Sequence, residues 1–245
     1  MANHIQSCFE RYEKKYIVSP SQQSFLLEEI RPHIKEDVYG RYSICNIYYD
    51  TDDWRLARAS VEKPVYKEKL RVRSYGDACE DSSVFVELKK KFDGVVYKRR
   101  IVTELYTVEP FLCGLIPGSQ YGQIGREIEW FQSFYQTKPK AFIGYDRLAF
   151  AGTDSPDVRI TFDSGIKWRT ERLALRFDDS DRLLIPEDKL LMEIKLPGTC
   201  PMWRCSALSQ AGVFPVSFSK YGFCYQNNII NKPSVCNIRK ELHCA

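Results

Sequence analysis

Histidine is scarce in this chain, with only His4, His33 and His243, far apart. Nine cysteines are present, yet no two stand in a C-x-x-C spacing. These absences exclude the common zinc-binding patterns, which need Cys and His at short fixed intervals. Long apolar runs are missing as well, and none approaches the roughly 20 residues that a membrane-spanning helix requires. The first residues, MANHIQSCFERYEKKY, lack the apolar core of a secretory signal. A cytoplasmic protein with reduced thiols is the expectation. No P-loop, no G-x-G-x-x-G after a strand and no kinase signature occurs. Nor does a Ser/His/Asp or Cys/His arrangement stand out. No repeat, low-complexity tract or Gly/Ser linker divides the 245 residues. A single domain over 1–228 and a C-terminal tail over 229–245 are expected.

What is present is a globular composition, 44% hydrophobic and 28% charged, with a mild net charge of +4. That charge marks neither a nucleic-acid nor a membrane binder by itself, so its distribution matters more. Alternating apolar and polar residues predict strands over 9–18, 41–50, 65–75, 84–92, 95–105, 140–150, 158–166 and 190–196. The Phe92-Asp93-Gly94 turn joins two of them as a hairpin. Ser19-Pro20 opens a helix that Pro32 ends. Shorter helices are predicted over 52–63 and 126–136. The fold class is α+β, mainly antiparallel β. Eight strands with few helices predict a closed antiparallel barrel, its helices packed outside.

The charges follow the strand period. In YKEKLRVRSYG (66–76), Lys67, Lys69, Arg71 and Arg73 share one face, with Leu70 and Val72 on the other. Arg11, Glu13 and Lys15 share a face, as do Glu87, Lys89 and Lys91. Lys98 pairs with Arg100, Arg159 with Thr161 and Asp163, and Glu193 with Lys195. A single charged strand face is normally a solvated one. Several such faces in one barrel, with apolar faces under outer helices, must instead turn inward. A dry lumen could not hold them, because unpaired buried charges cost several kcal/mol each. The lumen is therefore expected to be wet and to take a narrow, highly charged anion. Arg suits bidentate phosphate contacts. A glutamate among such cations has two readings: an internal ion pair, or a ligand for Mn²⁺ or Mg²⁺ shared with phosphate oxygens.

The order and spacing of RYEKKY, KLRVRSYG, VELKKK, VVYKRR, YDRLAF, VRITFD, LMEIKLPG and FSKYGF, over roughly 9–225, resemble the triphosphate tunnel metalloenzymes. The closer resemblance is to the catalytic domain of the vacuolar transporter chaperone (VTC) family, its polyphosphate polymerase branch. The resemblance implies an eight-stranded tunnel barrel that transfers the γ-phosphate of ATP to a growing inorganic polyphosphate chain, aided by Mn²⁺ or Mg²⁺. Carried onto this sequence, it implies catalytic roles for Lys15, Arg71, Arg73, Lys89, Arg147 and Lys220. It implies substrate contacts for Arg11, Lys69, Lys91, Lys98, Arg100, Tyr145, Arg159, Lys195 and Ser219. Glu193 would be the metal ligand, with Glu13 and Glu87 as further candidates. Lys67 and Lys69 would form a funnel nearer the mouth. Many family members carry a histidine just after the Glu-x-Lys of the fourth strand; here Lys90, Lys91 and Phe92 follow. A standalone enzyme of bacterial type, without a phosphate-sensing domain or membrane helices, is implied. No nucleic acid is expected, and any membrane-associated partner is unknown.

Two alternatives stay open. Hydrolytic relatives, which act on tripolyphosphate or nucleoside triphosphates, show E-x-E-x-K on the first strand. Here that face reads Arg11-x-Glu13-x-Lys15, which exchanges a carboxylate for a phosphate handle. A non-catalytic module binding polyphosphate or RNA is the other alternative. RNA binding would want aromatic platforms on the basic face, and on 66–76 only Tyr75 offers one.

Overall fold

The computed structural model describes residues 11–153, 157–197 and 202–230, with backbone only at 11, 12 and 197. The predicted tail beyond residue 230 and the flanks Cys8, Cys200, Cys236 and Cys244 lie outside the described residues.

The strands are β1 (Arg11–Val18), β2 (Ile34–Asp50), β3 (Tyr66–Tyr75), β4 (Ser83–Phe92), β5 (Val95–Glu104), β6 (Lys138–Gly152), β7 (Arg159–Arg169), β8 (Arg182–Leu183) and β9 (Leu190–Pro197). The helices are α1 (Pro20–Ile30), α2 (Arg55–Glu62), α3 (Leu105–Leu112), α4 (Gly122–Tyr135), α5 (Met202–Gln210) and α6 (Lys220–Cys224). Local chemistry explains several boundaries. Ser19 caps α1: its hydroxyl accepts from the Gln22 amide, and the Gln22 side chain accepts from the Ser19 amide. Pro32 sits in a short 3₁₀ turn that ends the helical stretch. Asp93 and Gly94 both take positive φ, 42° and 83°, as a tight hairpin turn requires.

Every strand pair is antiparallel, in the order β1-β9-β7-β6-β2-β3-β4-β5, with β8 beside β7. The α+β, mainly antiparallel architecture is the one expected. Closure is not: among the described residues no ladder joins β1 to β5. At Lys15 the free edge of β1 is bridged instead by Val216, whose amide donates to the Lys15 carbonyl at 2.7 Å. The sheet still wraps around, because Lys15 of β1 and Lys69 of β3 reach the adjacent residues Phe218 and Ser219.

Apolar residues form three clusters. Tyr16, Ile160, Phe162, Met192 and Ile194 pack under α1 and α5, against Leu26, Ile30 and Ala207. Leu70, Val72, Val86 and Leu88 pack under α3 and α4, against Phe111, Ile128 and Phe131. These are the outer faces of the strands. The third cluster fills one part of the concave side: Ile44, Tyr48, Ile143, Tyr145, Trp168 and Leu191 meet Tyr221 and Cys224 of α6. The concave face is thus part plug and part charged wall, not charged throughout.

A bulge makes this plug. Gly144 pairs with Lys167 and Asp146 with Ser164, so Gly165 and Ile166 together face Tyr145. Gly165 takes φ 55°, a conformation that side chains disfavour. The extra residue shifts the alternation, so Asp163 before it and Ile166 and Trp168 after it share the concave side.

Candidate active site

Register places the predicted cations on one surface. Tyr48, Arg71, Glu87 and Arg100 form one row across β2–β5, and Asn46, Arg73 and Phe85 form the next. Lys69, Lys89 and Lys98 form a third, with Lys67 beside Lys91 beyond it. Across the sheet, Lys15 faces Glu193 and Glu13 faces Lys195, while Arg147 faces Asp163.

One ion cluster is centred on buried Glu87. Arg71 donates through Nε to Glu87 Oε2 at 2.7 Å, its Nη2 lies 2.7 Å from the same oxygen, and Lys98 Nζ lies 2.8 Å from Oε1. Burial would raise the Glu87 carboxyl, but Arg71, Arg73 and Lys98 outweigh it and hold it down at about 2. Arg71 also donates to the Tyr48 hydroxyl at 3.2 Å, and Arg73 Nε donates to Asn46 Oδ1 at 2.9 Å. Both arginines are therefore held in fixed poses.

The second cluster is centred on Asp163, whose side chain is wholly buried. Arg147 donates to it through Nε and Nη2 at 2.6 and 2.8 Å, and Lys220 Nζ donates at 2.5 Å. Lys220 also reaches Glu193 at 3.4 Å. Lys15 lies 3.7 Å from Glu193 and 3.2 Å from Glu13. Burial opposes the charge on Glu193, but Lys220, Lys15, Arg147 and Lys195 hold its carboxyl well below the usual range. The Tyr145 ring lies under Lys220 Nζ and the Arg147 guanidinium, with centroids at 4.3 and 5.3 Å. Burial raises the Tyr145 phenol, yet Arg147, Lys220 and Arg73 lower it overall.

The remaining lysines are different. Lys67, Lys89, Lys91 and Lys195 make no ion pair among the described residues. Among the described residues Lys69 donates only to the Ser219 hydroxyl, at 2.9 Å, which draws it under the 218–219 segment rather than out to a mouth. Burial, then the charges of Lys89, Lys15, Lys67 and Arg71, push Lys69 well below the usual ammonium range. Lys89 keeps contact with solvent, yet the walls around it and the cations Lys15, Arg71 and Lys195 push it down to about 8, against the opposing pull of Glu13. Crowded, partly desolvated ammonium groups gain from an anion that restores their charge balance.

Several expected residues stand apart from these clusters. Arg159 is exposed at the rim and donates to Asp37 at 2.9 Å. Exposed Arg100 lies over the Phe85 ring at 5.0 Å. The Arg11 side chain lies outside the described residues. Sequence reasoning did not assign roles to Asp163, Asn46 and Tyr48. Asp163 could have been found, because it shares its strand face with Arg159 and Thr161. Buried Cys45 has its thiol pushed up to about 12 by burial, which suits packing, not nucleophilic attack.

No group of three or more His, Cys, Asp or Glu among the described residues can hold a metal alone. Glu13 and Glu193 both approach Lys15 Nζ, however. Two carboxylates with open coordination positions fit a hard divalent cation that completes its shell with phosphate oxygens. Glu87 is instead taken up by three cations. A separate cavity of about 370 Å³ opens beside α2, lined by Arg55, Arg58, Tyr66, Lys67, Glu68 and Tyr135; of the residues predicted from sequence it takes in only Lys67.

A wrapped antiparallel sheet with a cation-rich concave face defines a tunnel-type protein. The chain belongs to the VTC domain family, whose model matches residues 10–228. No curated protein matches it in sequence. Among solved structures, it is similar to a proposed adenylate cyclase of Vibrio parahaemolyticus at 10% identity and TM-score 0.46, covering 89% of this chain and 98% of that one. A proposed adenylate cyclase of Bacillus halodurans gives 13% identity and 0.45, covering 84% and 92%. A proposed adenylyl cyclase of Hippeastrum, described as revealing a dominant triphosphatase activity, gives 15% and 0.45, covering 85% and 92%. No helix among the described residues is long and apolar enough to cross a membrane.

Proposed function

We propose that this chain is a phosphotransferase that moves the γ-phosphate of ATP onto the end of an inorganic polyphosphate chain. The observation that carries this reading is the concave surface on which Lys69, Lys89, Lys91 and Lys195 form no ion pair among the described residues, beside the fixed Arg71, Arg73 and Arg147. Such a surface suits a long polyanion threaded along it. Membership in the VTC family supports the same reading.

The chemistry needs no protein nucleophile. A terminal phosphate oxygen of the acceptor forms a bond to the γ-phosphorus, the bond to the β-phosphate oxygen breaks, and ADP leaves with that oxygen. The protein aligns donor and acceptor and balances charge. Glu87, Tyr48 and Asn46 fix Arg71 and Arg73, and Asp163 fixes Arg147 while leaving its Nη1 for a phosphate oxygen. Lys220 and Lys15 bring positive charge to the same region. Glu193 and Glu13 would hold Mn²⁺ or Mg²⁺, which when bound neutralises phosphate charge.

Hydrolysis is the second reading, favoured by the approach of Glu13 and Glu193 to one point. One experiment separates the readings: incubate the protein with ATP and Mn²⁺ and resolve the products on a gel. A polyphosphate ladder with ADP supports transfer. Free phosphate alone makes it a hydrolase, and no turnover leaves a binding module. Arg71→Ala and Arg73→Ala are each expected to abolish the ladder while the protein still folds, with a lowered melting temperature because Glu87 loses a cation. Ladders from both variants would sink the assignment. Glu193→Gln is expected to remove metal-dependent turnover while tripolyphosphate still binds.

A further inference from the structure

The two ends of the charged wall carry different chemistry. β2 and β3 run antiparallel, so Tyr42 and Tyr75 lie at one end of the concave face and Lys67 at the other. At the first end rings touch in series across three strands. Tyr39 meets Tyr42 at 6.4 Å, Tyr42 meets Tyr75 at 5.8 Å, and Tyr75 meets Phe85 at 5.6 Å. Arg100 of β5 then lies over Phe85. Tyr75 is 51% exposed and Tyr39 76%, so ring surface is open to a ligand. This ribbon adjoins the phosphate-contact candidates directly. Phe85 is the cross-strand partner of Arg73, and Tyr75 is two residues beyond Arg73 on the same face, about 7 Å along the strand. At the opposite end the concave positions of β3 and β4 are Lys67, Lys69, Lys89 and Lys91, without a ring among them.

From this asymmetry we infer that the Tyr42–Tyr75–Phe85 ribbon is the stacking platform for the base of the nucleoside triphosphate, and that the polyphosphate chain occupies the lysine end. The inference rests on the proposed phosphotransferase reading and gives the tunnel a polarity. The base stacks on the rings, its phosphates extend over Arg73, Arg71 and Arg147, and the γ-phosphorus meets the acceptor where Lys69 and Lys89 begin. Every base offers a π-face, so the platform tolerates different nucleobases, while its flanking arginine adds a cation against the ring system.

The test compares two probes that share phosphates and differ in the base. Affinities for the β,γ-imido analogue of ATP and for inorganic tripolyphosphate are measured by calorimetry with Mg²⁺. Tyr75→Ala and Phe85→Ala are each expected to weaken the analogue about tenfold, the loss of one stacking contact. Tripolyphosphate affinity should stay within about twofold, and Tyr75→Phe should bind both probes as the parent does. Equal loss for both probes, or no loss for the analogue, overturns the platform. A single-stranded RNA that loses affinity in these variants while the analogue does not also overturns it. The two readings fail separately. If the parent binds tripolyphosphate and makes a ladder but the variants bind the analogue unchanged, only the polarity falls. If the parent does not bind tripolyphosphate, the tunnel function falls and takes the platform with it.

Discussion

The β6–β7–β9 wall and the β3–β4 wall of the same concave face hold their charges differently. On the first, Asp163 accepts from Arg147 and Lys220, and Glu193 lies near Lys220 and Lys15. On the second, Glu87 serves Arg71, Arg73 and Lys98, while Lys67, Lys89 and Lys91 form no ion pair among the described residues. The first wall is balanced apart from Lys195 and is closed over by Lys220 and the apolar residues around Tyr221. The second is held further short of balance, so an anionic ligand would gain most there. A cation count alone would treat the walls alike, whereas partner geometry separates the cations that hold the site together from those that await an anion.

The largest expected effect comes from breaking the balanced wall. Asp163→Ala leaves Arg147 and Lys220 buried without their shared carboxylate and should cost about 3–5 kcal/mol, read from denaturant unfolding. An unchanged midpoint would show that water replaces the carboxylate and that this wall is as open as the other.

A smaller effect is expected at Glu87. Its carboxyl is held at about 2 against an ordinary 4.5. Its contribution is therefore fully present above pH 4.5 and is lost as pH falls toward 2. Glu87→Gln should be less stable at pH 7 and lose less of its stability between pH 4.5 and 2 than the parent does. Parallel acid curves for the two proteins would refute the ion cluster as a source of acid sensitivity.

The smallest and most local effect concerns Lys89, lowered from 10.5 to about 8. Its proton is held less tightly in the folded chain than in the unfolded one. Its charge therefore opposes folding most below pH 8, and this opposition fades as pH rises from 8 to 10.5. Tripolyphosphate affinity should drop as pH rises past about 8, and Lys89→Met should flatten that drop. The same variant should unfold no more easily than the parent at pH 7. A clear loss of stability there would place Lys89 with the balanced charges.

Much of this was legible in advance because strands write their faces with a period of two. The alternation in KLRVR placed Arg71 and Arg73 on one face, and Met192 and Ile194 around Glu193 marked a covered strand. The Ser19-Pro20 cap and the Asp93-Gly94 turn were readable because their chemistry is local. Other features were not. Helix α3 was hidden by Pro110, and α6 spans only Lys220–Cys224, too short to show a helical period. The expectation of ring closure failed because the edge of β1 is met by Val216, distant in sequence. The bulge at Gly165 brings Ile166 and Trp168 to the inner side, whereas an unbroken alternation from Asp163 would have put them on the outer one.

The sequence by itself determined which residues are charged, which strand faces they occupy and where the local caps and turns fall, since each depends on neighbours a few positions away. Only the tertiary structure decided which cations are answered and which are not. It brought Lys220 from the C-terminal side to Asp163, placed the 216–219 segment against Lys15 and Lys69, and aligned Tyr42, Tyr75 and Phe85 from three strands into one ribbon. Pairing of charges and stacking of rings depend on distances of a few ångströms between residues far apart in the chain, and only folding sets those distances.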